Sequence, residues 1–261
     1  MPELPDVEIF RRNLEASSLN KKVSRVEVKD KKILHNTTEK QLNDLLAGKK
    51  FMSSKRHGKY LLVQVDQDKE LAFHFGMTGK FKFLEEGKEI PNATHLLIHF
   101  NDHHMLAYID KRKIGRVEVV KSEEELIKEH QLAQDALEIS WEEFYENFKD
   151  KKSFLKAGLM DQGLIAGIGN VYADEILYQA RLHPKGKFNE LSTQELKTIY
   201  EKIRIVLTTA IECGASRKEL PAHFIIPHRK EGEKCPYCES YIERLEIGGR
   251  ATFFCPGCQK K

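Results

Sequence analysis

Short runs of alternating apolar and polar residues dominate the first 120 positions of this chain. Residues Val23–Val28, 60–65, 71–75, 80–84, 96–100, 105–109 and Arg116–Val120 repeat with a period of two, as half-buried strands do. So many short strands separated by turn residues predict an antiparallel sandwich or barrel. Two helices interrupt the pattern. One covers residues 5–19, with Val7, Ile9, Phe10 and Leu14 as its apolar face; the other covers 38–46, opened by Thr37 or Thr38. From Ser122 the period becomes helical. Apolar residues recur at three- and four-residue spacing over 123–130, Trp141–Phe148, Leu155–Met160 and 171–179. A long helix over 192–211 opens with Ser192 and its capping-box partner Glu195. Two short strands, 242–247 and 251–254, flank Gly248-Gly249, a tight-turn signal. The fold class expected is α+β: an N-terminal antiparallel β-sandwich with a leading helix, then a helical domain, then a hairpin.

Composition narrows this picture. A length of 261 residues suits one large or two ordinary domains. With 40% apolar and 32% charged residues and a mean hydropathy of −0.52, the chain reads as globular. No apolar run approaches the ~18 residues that cross a bilayer, and no signal peptide is expected. Net charge is only +3, but it is uneven. Residues 151–261 carry 18 Lys/Arg against 13 Asp/Glu, and residues 1–150 carry 25 against 27, a faint nucleic-acid signal.

Four of the five cysteines are paired as Cys235-x-x-Cys238 and Cys255-x-x-Cys258. This spacing suits a four-cysteine zinc ribbon, in which each pair supplies two thiolates and a hairpin joins them. Four thiolates leave no open coordination position, so the zinc expected is structural. Disulfides fit poorly, because nothing suggests secretion and Cys213 would be left over. Cys213 itself reads as a buried small hydrophobe.

Several stretches carry candidate chemistry. The chain starts Met1-Pro2-Glu3-Leu4-Pro5-Asp6. Removal of Met1 would leave Pro2 with a free secondary amine, and α-amines have a pKa near 8 in model peptides. Attack on a sugar C1′ would give an iminium with a fixed positive charge, and Glu3 could move protons. The plainer reading is an ordinary helix start. A basic cluster of Lys49, Lys50, Lys55, Arg56, His57 and Lys59 follows, and Lys59 after Gly58 could hold a phosphate or be a solvated edge lysine. In His74-Phe-Gly-Met77-Thr-Gly79, Met77 rides a turn. Asp110-Lys-Arg112-Lys-Ile114-Gly115 is either a charged hairpin or an arginine and a wedge that enter a duplex. The glycine-rich run 161–170 opens into a helix whose amides could bind an anion, with Asn170 as the expected cap. No βαβ unit surrounds it, which argues against a nucleotide cofactor.

Taken together, PELPDVE, HFGMTG, DQGLIAGIGNVYADE, RLHP and GGRATFFCPGCQ resemble the formamidopyrimidine-DNA glycosylase / endonuclease VIII family, in family order and from end to end. The resemblance implies a β-sandwich over 1–121, a helix-two-turns-helix domain over 122–230 and a zinc finger over 231–261. It implies a monomeric, bacterial-type, cytoplasmic, nucleoid-associated base-excision-repair enzyme that flips a damaged base from duplex DNA. Pro2 would release the base, and β,δ-elimination would cut the strand. Glu3 matches the general acid/base. Lys59, Asn170 and Arg250 match the clamp on phosphates, Lys59 and Arg250 also serving catalysis. His74, which opens its motif, joins the expected DNA contacts. Met77, Arg112 and Ile114 match the residues that fill the gap left by the flipped base. YADE and RATFFC favour the formamidopyrimidine branch over an endonuclease VIII-like preference for oxidised pyrimidines. Other readings are a non-catalytic damaged-DNA binder with Met1 retained, or a zinc-ribbon RNA- or ribosome-associated protein.

The chain also departs from the family. Asp6 stands where Glu is usual and Ile114 where Phe is usual. Residues 214–232 are short and lack the usual VYGR-like run. That region carries the loop that caps 8-oxoguanine in the family, so 8-oxoguanine is expected to be a weaker substrate than formamidopyrimidines or abasic sites.

Overall fold

The computed structural model describes residues 1–66 and 69–260, and of Asp66 only the backbone. It divides into two compact units: Met1–Pro2 with Asp6–His130, and Glu3–Pro5 with the chain from Gln131 onward.

The first unit is a two-sheet sandwich. One sheet has four strands, β1 (Val23–Val28), β7 (Thr94–Phe100), β8 (His104–Ile109) and β6 (Lys80–Glu85), in that order. The other has five, in the order β2 (Leu34–His35), β9 (Arg116–Val120), β5 (Lys69–His74), β4 (Tyr60–Asp66) and β3 (Ser53–His57). Pairing is antiparallel except between β2 and β9. The period-two residues Leu61, Val63, Phe73 and Val117 of one sheet meet Leu96, Ile98, Leu106 and Tyr108 of the other in a single core. Burying each such side chain contributes about 1.5–3 kcal/mol. All seven residues of β7 are buried, because Leu97 joins Leu84, Met105, Ala107 and Ile109 in a second cluster on the opposite face. Helix α1 (Leu4–Ser18) places Val7 and Leu14 in the main core, and α2 (Glu39–Leu46) adds Leu42 and Leu46. Thr38 caps α2 in a capping box with Gln41. Helix α3 (Glu123–Glu129) packs against β9 and is capped by Ser122.

The second unit contains helices α4 (Trp141–Phe148), α5 (Leu155–Met160), α6 (Asn170–Gln179) and α7 (Thr193–Glu212). Capping boxes from Ser140 to Glu143 and from Ser192 to Glu195 open α4 and α7. Each satisfies amides that the first turn leaves without partners. A hairpin of β10 (Glu243–Ile247) and β11 (Arg250–Phe254) follows, turning at Gly248-Gly249. The expected α+β architecture is therefore present, with β3 and β2 added to the strands that the alternation marks.

Candidate active site and nucleic-acid interface

In the second unit, the amides at the start of α6 hold a carboxylate of the protein itself. Gly169 N–H and Tyr172 N–H donate to Glu3 Oε2 at 2.8 and 3.2 Å, and Val171 N–H donates to Oε1 at 2.8 Å. Glu3 is buried. A helix N-terminus favours a negative charge through its free N–H groups and its dipole. The expected anion site is therefore real, and Glu3 occupies it. The expected cap changes too: Gly169 is the N-cap and Asn170 lies in the first turn. The glycines are needed for the approach. A Cβ on Gly169 would lie 2.5 Å from Glu3 Cδ, and one on Gly167, where φ is +113°, would lie 2.6 Å from Leu4 Cδ1. The Leu4 N–H donates to Gly167 O at 3.1 Å and completes the docking of this segment.

Asn170 presents a buried Oδ1 with no hydrogen-bond partner among the described residues. One turn on, Asp174 joins α6 to the hairpin. Its Oδ1 is 2.7 Å from Lys156 Nζ, and its Oδ2 accepts from Arg229 Nε at 2.8 Å and from Phe253 N–H at 3.1 Å. Lys156 also donates to Ala251 O at 3.0 Å and Thr252 Oγ1 at 2.8 Å, and Arg229 lies over the Phe253 ring at 4.7 Å. Burial pushes the Lys156 ammonium below the usual lysine range and Asp174 above the usual carboxylate range. Arg250, exposed at the start of β11, thus sits on a strand anchored to the helix that carries Asn170.

Lys59 and His74 lie in the first unit. Lys59 occupies the β3–β4 turn and its charge acts on His74 at the end of β5. Burial first, then the charges of Lys59 and Arg116, push His74 down to about 4. Its Nδ1 accepts from Gly76 N–H at 3.3 Å, so at neutral pH the uncharged ring carries its hydrogen on Nε2, as a donor. The ring packs on Tyr60 with centroids 4.8 Å apart.

Asp110 organises a second feature of this unit. Its carboxylate is buried and accepts from Ile114 N–H at 2.9 Å, Gly115 N–H at 2.8 Å, Arg112 N–H at 3.1 Å and Thr78 Oγ1. Burial alone would raise its pKa, but these bonds outweigh burial and hold the carboxyl below the usual range. The Thr78 bond joins the 76–79 turn to the 110–115 loop. Met77 and Ile114 remain 38% and 45% exposed, and Arg112 is exposed beside them. Met77, Arg112 and Ile114 are therefore brought together on one scaffold. The sequence reading missed Asp110, Lys156, Asp174 and Arg229. A buried acid that accepts the amides just ahead of it is a loop signal that could have revealed Asp110.

Pro2 is partly buried and Met1 exposed. The four cysteine sulfurs lie within 4.8 Å of one another, with Sγ···Sγ separations of 3.4 Å (Cys238–Cys255), 3.5 Å (Cys238–Cys258) and 3.7 Å (Cys235–Cys258). Tetrahedral zinc with bonds of about 2.3 Å places its sulfurs about 3.8 Å apart, so this thiolate set fits one structural zinc. Tyr237 N–H donates to Cys235 Sγ at 3.4 Å, and Tyr178 Oη lies 3.3 Å from the same sulfur.

The sandwich, the helical unit with its carboxylate-capped Gly-x-Gly-Asn turn and the zinc hairpin each match a domain of one family of DNA glycosylases. Residues 1–117 match the formamidopyrimidine-DNA glycosylase N-terminal domain, 132–221 its H2TH domain, and 232–261 a zinc finger found in that glycosylase and in isoleucyl-tRNA synthetase. The chain is 34% identical to a formamidopyrimidine-DNA glycosylase of Listeria innocua, with all of both chains covered. It is 35% identical to one of Ligilactobacillus salivarius, with 99% of each covered. Among solved structures it resembles the Lactococcus lactis Fpg bound to DNA with an abasic site (TM-score 0.90, 30% identity, 99% of this chain and 100% of that one). It also resembles MutM bound to DNA with carbocyclic 8-oxo-G (TM-score 0.91, 30% identity, all of both chains). This chain belongs to the formamidopyrimidine-DNA glycosylase family.

Proposed function

We propose that this protein is a base-excision-repair DNA glycosylase and abasic-site lyase that acts on damaged duplex DNA through Pro2. With Met1 removed, the Pro2 amine attacks C1′ of the damaged nucleotide and displaces the base, the C1′–O4′ bond then opens with a proton delivered to O4′, and the resulting iminium withdraws electrons for β- and then δ-elimination. Glu3, next in sequence, moves the protons. The observation that carries this reading is the three-amide grip on the Glu3 carboxylate, which fixes a buried acid directly beside the nucleophile in the chain. Catalysis by positioning depends on such fixed geometry. Lys59, Asn170 and Arg250 bind phosphates around the lesion, Lys59 and Arg250 also supporting catalysis, and His74 contacts the DNA. Met77, Arg112 and Ile114 fill the space left by the extruded nucleotide. The division at 121/122 and 230/231 separates sandwich, helical and zinc-finger functions. No described helix is long and apolar enough to cross a membrane; action as a monomer in the bacterial cytoplasm, on the nucleoid, suits a DNA substrate.

The short 214–232 segment packs down through Phe224, Ile225 and Ile226, and Glu175 Oε2 accepts the Ile226 N–H at 2.9 Å. A segment this short, without the VYGR-like run, favours formamidopyrimidines and abasic sites over 8-oxoguanine as substrates. The test of the nucleophile is strand cleavage of an abasic duplex by Met1-free protein and by protein with one extra N-terminal residue. The Met1-free form should cut and the extended form bind without cutting. Equal cleavage by both would refute the role of Pro2.

A further inference from the structure

Three ligand-type side chains meet on the face of the five-stranded sheet that turns away from the sandwich core. Val117 points into that core, so the strand period sends its neighbour Glu118 to the opposite face, level with Ala72 on β5. Helix α3 packs against β9 and ends beside Glu118. There Glu118 Oε2 lies 2.8 Å from His130 Nε2, and Glu129 supplies a third donor; the three ligand atoms lie within 4.8 Å of one another.

Glu118 is not an ordinary outward-facing strand residue. It is 2% exposed, and its Oε1 is buried with no hydrogen-bond partner among the described residues. An unsatisfied buried carboxylate oxygen is costly, and a cation is one of the few groups that can compensate it. The His130 ring packs on Tyr60 with centroids 5.0 Å apart, which fixes its plane. Glu129 is exposed, leaving the cluster open to solvent on one side.

We propose that Glu118, Glu129 and His130 form a divalent-cation site, separate from the ribbon zinc, for a first-row transition ion of the Mn2+ or Zn2+ type. Two carboxylates with one imidazole suit these ions, whereas Mg2+ and Ca2+ prefer all-oxygen sets and soft ions prefer thiolates. Donors around such an ion sit on the order of 3–4 Å apart, within reach of small side-chain adjustments. Bound there, the ion ties strand β9 to His130, the last residue of the first compact unit. It neutralises two acidic charges at that end of α3.

Mn2+ tests the site, because the thiolate ribbon does not favour it. Full-length protein retaining its ribbon zinc is titrated with Mn2+, with the free ion followed by electron paramagnetic resonance. One Mn2+ per chain is expected, displaced by Zn2+. Glu129→Gln, at an exposed position, keeps the wild-type melting curve and weakens Mn2+ binding at least tenfold; Glu118→Gln and His130→Ala abolish it. No bound Mn2+ at millimolar concentration, or wild-type affinity in Glu129→Gln and His130→Ala, overturns the proposal.

Discussion

Glu3 accepts the N–H of Gly169, 166 residues away, at 2.8 Å, and the space between them admits no side chain on Gly169. The N-terminal segment is thus held by the glycine-rich turn that opens α6. Gly169→Ala should displace the Glu3 carboxylate while leaving the core of the helical unit intact. A displacement of about 1 Å can cost ~100-fold in rate. Single-turnover strand cleavage of an abasic duplex should fall by about that factor with little change in melting temperature. Wild-type turnover would show that the Glu3–Gly169 contact does not govern the chemistry.

Asp174 and Lys156 form a fully buried pair. Asp174→Ala leaves the Lys156 ammonium without its acid and should destabilise the protein by about 3–5 kcal/mol. Because β11 loses its Phe253 anchor, DNA affinity should fall as well. Denaturant unfolding and DNA binding measure the two effects. A loss below ~1 kcal/mol, or unchanged affinity, would separate the pair from Arg250.

Glu175 is fully buried, and burial raises its pKa to about 7. The native state then binds more protons than the unfolded chain between pH 4.5 and 7, so its contribution to stability declines as pH rises through that window. The change amounts to about 3 kcal/mol. His74 acts in the opposite sense: with its value depressed to about 4, its contribution is lost as pH falls from 6.5 toward 4. Glu175→Gln should therefore show less loss of stability than wild type between about pH 5 and 7. Parallel pH profiles would contradict the assignment.

Much of the fold is legible in the sequence because it rests on local rules. The period-two strands, the Ser192–Glu195 box and the paired cysteines each announce themselves over a few residues. Strand β3 does not, since Ser53-Ser54-Lys55-Arg56-His57 lacks an apolar face and gains its conformation by pairing with β4 at the sheet edge. The cap of α6 escapes local reading because its partner acid lies at the other end of the chain. Lys156, Asp174 and Glu118 look like ordinary surface charges until tertiary packing buries them.

Lesion preference provides a separate test. In single-turnover excision from duplexes that differ only in the damaged base, formamidopyrimidine should leave faster than 8-oxoguanine, and abasic sites should be cut readily. The reason is the short 214–232 segment, which lacks the VYGR-like run. Equal or faster release of 8-oxoguanine would show that residues 214–232 do not limit the substrate range.

The chemistry turns on a covalent bond between the Pro2 nitrogen and the deoxyribose. Methionine-free protein is mixed with an abasic duplex and sodium borohydride, and the product is resolved by denaturing electrophoresis and peptide mass analysis. A stable protein–DNA adduct located at Pro2 is expected. Absence of any adduct, or an adduct on a lysine with Pro2 unmodified, would contradict the mechanism.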